Sequence, residues 1–74
     1  MIFGMNIRNY IYSTDEPRQT KIKMAKELDV TEGAVTHWVN GRKKPSAMHS
    51  LAIEKITKGT VTRYELRPDI YPKD

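Results

Sequence analysis

Five residues in one short stretch carry the groups best suited to recognition: Glu32, Gly33, Thr36, His37 and Asn40. At 3.6 residues per turn they share one side of a helix read from Thr31 to Asn40, opposite Ala34, Val35, Trp38 and Val39. A helix face that merely meets water usually carries salt-bridging charges. This one holds no Lys or Arg and is instead built of short hydrogen-bonding groups. Such groups match the edges of nucleic-acid bases: Asn pairs with adenine through two bonds, Glu accepts from cytosine, and the Thr methyl touches thymine. Gly33 costs the helix roughly 1 kcal/mol against Ala, which close backbone approach to a ligand would explain. Residues nearest the start of a reading helix go deepest into a groove, favouring Glu32 and Thr36. Asn40 alternatively holds a phosphate or caps the helix, and His37 meets a base or a phosphate.

The residues ahead of this helix are those needed to aim it. Ile22, Met24, Ala25 and Leu28 share a face of a preceding helix. Asp29 can adopt the left-handed backbone of a tight turn, Val30 plugs the angle, and Thr31 is placed to cap the second helix through its hydroxyl. Two helices crossing steeply need a small residue at the crossing, which Ala25 supplies; Val35 and Trp38 close the wedge from the other side. The stretch Lys21 to Asn40 therefore reads as a helix-turn-helix, whose second helix lies in a DNA major groove. The same pattern also fits a helical hairpin that binds nothing, and the polar face is what separates the two.

Basic residues flank this unit. Arg18, Lys21, Lys23 and Lys26 lie at or before the first half of its first helix, and Arg42, Lys43 and Lys44 follow its second. Phosphates of a bound duplex would run there, so Lys21, Thr31, Arg42, Lys43 and Lys44 are the candidate phosphate ligands. Lys23 and Lys26 fit an ordinary solvated helix face equally well. The segment from Thr60 to Asp74 has three bases and three acids and is neutral.

The rest of the chain reads as short helices. Ile7, Tyr10 and Ile11 predict a first helix over about Met5 to Tyr12, preceded by a loose start at Met1 to Gly4 with Phe3 against the core. Ser13 to Gln19 is turn-rich. Thr20 is the preferred cap of the second helix, a start near Glu16 with Pro17 in the first turn being the alternative. Asn40-Gly41 stops the third helix. Ser46 caps a fourth through about Thr57, with Met48, Leu51, Ala52, Ile53 and Ile56 as its buried side. Thr62 caps a last turn, Arg63 to Arg67, before Pro68, and the tail over residues 68–74 packs down or lies loose. The expectation is one all-α domain over residues 1–74, of four to five short helices.

Composition removes other classes. The 74 residues include no cysteine, so disulfides and thiolate metal sites are excluded. Thirteen Lys and Arg against nine Asp and Glu leave a formal charge of +4, a modest excess whose placement matters more than its size. No apolar run approaches the roughly 20 residues of a membrane span, and the first residues lack the pattern of a secretion signal. A cytoplasmic protein without membrane contact is expected. His37 and His49 are the only histidines and lack metalloprotease spacing, and no cofactor loop is present. Glu54 has no evident carboxylate partner for acid–base chemistry. The reading is of a non-enzyme without metal or cofactor.

From Met24 to Tyr71 the chain resembles a known family. AKELDVTEGAVTHWVNGRKKPS followed by LAIEKITKGTVTRYELRPDIYP is similar to the YdaS-type prophage antitoxins and Cro-like repressors of the lambda-repressor-like class. The ending GTVTRYELRPDIYP is the most specific part. The resemblance implies an all-helical DNA-binding domain that regulates prophage genes. Three departures stand out: Lys21 where Gln often opens the second helix, Asp29 where Gly is usual, and a long connection over Ser13 to Gln19.

Two functions follow as expectations. The first is a repressor that binds a palindromic DNA operator as a homodimer. The contact between protomers is expected at the outer end of the fourth helix or in the tail, through Val61, Ile70 and Tyr71. The alternative is an antitoxin acting mainly by masking a toxin partner protein. A non-specific nucleic-acid binder ranks last, since it would need a more basic surface.

Overall fold

The computed structural model describes residues 6–72, so the expectations for Met1 to Gly4, for Phe3 and for the last two residues lie outside the described part. Five helices follow one another: α1 (Ile7–Tyr12), α2 (Pro17–Leu28), α3 (Glu32–Val39), α4 (Ala47–Ile56) and α5 (Arg63–Leu66). No strand occurs among the described residues. All-helical architecture and the number of helices are as the periodicity predicted.

Side-chain oxygens start four of the five helices. Asn6, Thr31, Ser46 and Thr62 each accept from a backbone N–H three residues on, satisfying a donor that the helix itself cannot. The cap at Asn6 starts α1 at Ile7, two residues later than expected. The exception is α2. Glu16 precedes it without a side-chain bond, and Pro17 opens it, its fixed φ suited to the first turn and its missing N–H no loss there. Thr20 is therefore not the cap. It sits inside the helix, where its hydroxyl lies 3.1 Å from the Glu16 carbonyl and 2.9 Å from Thr14 Oγ1.

The turn after α2 is made by Asp29 at φ 58° and ψ 46°, the left-handed conformation its short polar side chain tolerates. Gly41, at φ 77°, ends the turn after α3 as expected.

The core forms where the inner faces of α1, α2, α3 and α4 meet. Ile11, Val35, Ile53 and Val61 are fully enclosed, with Met24, Ala25, Leu28, Trp38 and Leu66 around them. Trp38 stacks obliquely on His49 with ring centroids 5.6 Å apart, so α3 and α4 are joined through two aromatic rings. His49 is the core-edge residue its position suggested.

Helix α4 corrects the sequence reading most. Its most buried residues are Ser50, Ile53 and the C-cap Thr57, and Ala52 and Ile56 pack against the core as expected, while Met48 is 79% exposed and Leu51 41%. Counting only apolar residues turned the predicted inner face by about a third of a turn. Buried hydroxyls are acceptable here because the backbone satisfies them. Ser50 Oγ donates to the Ser46 carbonyl at 2.9 Å, and Thr57 Oγ1 donates to Ile53 while accepting from the Val61 N–H at 3.0 Å. Val61, expected at a protomer contact, is instead core.

The described tail packs down. Arg67 donates through Nη1 to the Pro45 carbonyl at 2.9 Å and grips Asp69 with Nε and Nη2. The Tyr71 hydroxyl meets the Ala47 carbonyl at 3.2 Å. The most distinctive stretch of sequence, RPDIYP, thus straps the start of α4.

Candidate nucleic-acid interface

The candidate base-reading residues all belong to α3 or its C-cap, and the core on the other side fixes how they face. Val35, Trp38 and Val39 are buried. Glu32, Gly33 and Asn40 are consequently exposed, and Thr36 and His37 are half-buried at the edges. Thr31 Oγ1 accepts from Ala34 N at 3.0 Å, which leaves its hydroxyl proton free to donate to an anion.

A shallow groove of about 290 Å³ runs along this side, lined by Thr31, Gly33, Ala34, His37, Trp38 and Lys43. It brings two candidate base-reading residues, Gly33 and His37, beside two candidate phosphate ligands, Thr31 and Lys43. The link has a backbone cause. The His37 carbonyl, at the end of its helix, accepts from Arg42 N at 2.9 Å and from Lys43 N at 3.4 Å, folding the basic loop back against α3. Gly41 makes that reversal possible. Arg42, Lys43 and Lys44 are all exposed.

Two features of the groove were not legible in sequence. His37 Nδ1 is enclosed without a hydrogen-bond partner among the described residues. A side chain at position 33 would have room, since an added Cβ would meet only Thr31 Oγ1 at an ordinary 3.7 Å. Nothing within the fold demands glycine there.

Lys21 stands apart from the groove. With α2 starting at Pro17 it lies a full turn inside the helix rather than opening it, because Pro17 rather than Thr20 sets the boundary. Lys23 lines a different cleft, with Tyr10, Thr20 and Glu27, between α1, α2 and α4.

No local sequence signal points to Arg67. By holding the Pro45 carbonyl it fixes the far end of the basic loop, and Asp69 beside it is held well below the usual carboxylate range, at about 2, chiefly by the hydrogen bonds from Arg67 and further by the nearby positive charge of Lys44. Among the described residues no group of three or more His, Cys, Asp or Glu is placed to hold a metal ion. No helix there is long and apolar enough to cross a membrane.

Helix pair, left-handed turn, capped outer helix and basic loop together define a helix-turn-helix domain. Residues 20–74 match the model of the family described as bacterial toxin YdaS, and the chain belongs to that family. Two relatives from Escherichia coli (strain K12) are similar to it. One, a prophage transcriptional regulatory protein, is 40% identical over 52 residues, covering 70% of this chain and 79% of the relative. The other, described as a transcriptional regulator, YdaS, is 43% identical over 47 residues, 64% of this chain. The match spans about half of that second relative, 48% of its length.

Proposed function

We propose that this chain is a DNA-binding transcriptional regulator of prophage genes, acting as a repressor with α3 in the major groove. The observation that carries the proposal is the exposed face of α3, polar and free of Lys and Arg, with the basic loop folded against its end. Glu32, Gly33, Thr36, His37 and Asn40 read base edges. Lys21, Thr31, Arg42, Lys43 and Lys44 hold phosphates, which give affinity without sequence preference. Five reading positions cover too few base pairs to select one place in a genome. The protein therefore works as a homodimer on a two-fold site, its half-sites about 34 Å apart. It acts in the cytoplasm and by binding alone. The names of the two relatives support regulation. Selection from a pool of random duplexes tests the proposal: enrichment of a two-fold symmetric site is expected, and retention of the pool without any enriched sequence would refute it.

The family's description as a toxin favours a second reading, in which the chain acts mainly on or through a partner protein, as in a toxin–antitoxin pair. A misdirected regulator can also harm a cell. Overproducing the chain with Thr36 and His37 both replaced by Ala separates these readings. Growth arrest that disappears with the reading face comes from DNA binding, and arrest that persists comes from a protein partner.

A further inference from the structure

Met48, Leu51 and Lys55 form an exposed ridge along α4, spaced i, i+3 and i+7 on one side of the helix. Beside it a groove of about 430 Å³ is lined by Ala52, Glu54 and Arg63 together with the ridge. We propose that this ridge seats a second copy of the chain, across a two-fold axis, when two protomers stand on one DNA site. The inference rests on the regulator reading and names the surface that reading requires.

Patch size, charge and molecular dimensions favour a second copy as occupant. Two apolar side chains and the stem of a third fall far short of the roughly 800 Å² per partner of a standing interface. Such a face holds only a partner delivered by other means. A copy already fixed on the adjacent half-site is that partner, because the DNA raises its effective concentration. Charge agrees. The chain carries +4, which opposes self-contact over most of its surface, but here Arg63 is paired with Glu54 at 2.6 Å, leaving Lys55 as the ridge's charge without an ion-pair partner among the described residues. Dimensions agree as well. The molecule measures 33 × 25 × 20 Å, so two copies meeting along the long dimension have centres separated on the scale of the ~34 Å between half-sites. Reversed on itself about an axis near Leu51, the ridge lays Met48 along the aliphatic stem of the second copy's Lys55.

The test uses the double variant Met48→Glu, Leu51→Glu on two duplexes. One carries the two-fold site enriched by the wild-type chain, and the other carries that site with one half scrambled. Sedimentation gives stoichiometry, titration gives cooperativity, and a thermal melt checks folding. Wild type is expected to be monomeric alone and to bind in pairs, cooperatively, on the intact site. The variant is expected to match wild type on the half-site and to lose about tenfold or more on the intact one. Met48→Lys alone, at the more exposed position, should show the same loss if the double variant folds poorly. Undiminished cooperativity in the folded variants overturns the inference alone. Failure of the wild type to enrich any two-fold site overturns the regulator reading and this inference with it.

Discussion

Replacing Gly33 by Ala should strengthen the fold and weaken its function. Gly33 lies in the first turn of α3 with ordinary helical backbone, and the new methyl would meet only Thr31 Oγ1 at 3.7 Å. Nothing is displaced, so the helix gains the propensity difference between Gly and Ala, about 0.5–1 kcal/mol. For a domain of this size that raises Tm by roughly 2–8 °C. The same methyl projects into the groove shared by Thr31, His37 and Lys43, where a base pair or phosphate would lie against the backbone, and binding to DNA should fall. Thermal denaturation and a binding titration on one preparation give both answers. A lowered Tm would show that the methyl disturbs the Thr31 cap. Unchanged DNA affinity would show that glycine is not there for a ligand, and would refute the argument from close approach.

Three further outcomes follow from the same geometry. Trp38→Ala should cost about 3–5 kcal/mol, a large part of the roughly 4–11 kcal/mol expected of such a chain, because Trp38 joins α3 to His49 and the core; a Tm within a few degrees of wild type would contradict this. Lys21→Ala and Arg42→Ala should each weaken binding to all duplexes alike and reduce the salt dependence by about one phosphate; a changed base preference for either would displace that residue from the phosphate set. Asp69 is held down to about 2 by Arg67, so its contribution is present above the ordinary carboxylate value and disappears as pH falls toward 2. The Tm difference between wild type and Asp69→Asn should accordingly shrink between about pH 4 and pH 2, and a constant difference would mean that the pairing is not formed in solution.

The helix-turn-helix was legible because each of its signals is local. Ala25 at the crossing, Asp29 in the left-handed turn, the Thr31 cap and the Val35–Trp38 face each follow from one residue's chemistry in its immediate context. The caps at Ser46 and Thr62 were legible for the same reason. The start of α2 was not, since Thr20 and Pro17 both carry starting signals and only the packing of Thr20 against Thr14 decides between them. Nor was the rotation of α4. Ser50 and Thr57 turn inward because backbone groups receive their hydroxyls, and that pushes Met48 and Leu51 out. The role of Arg67 depends on a carbonyl 22 residues away, a distance over which local pattern carries no signal.

The central claim, that the outer face of α3 reads bases, is tested most directly by site selection with Thr36→Ala and Glu32→Ala beside wild type. Both side chains point away from Val35 and Trp38, so both variants should fold as wild type does. Each is predicted to lose about 1–3 kcal/mol of discrimination at one base position in each half-site. Binding to random DNA should be nearly unchanged, or tighter for Glu32→Ala as a negative charge leaves the phosphates. A consensus identical to wild type for both variants would contradict the account and move the reading face elsewhere.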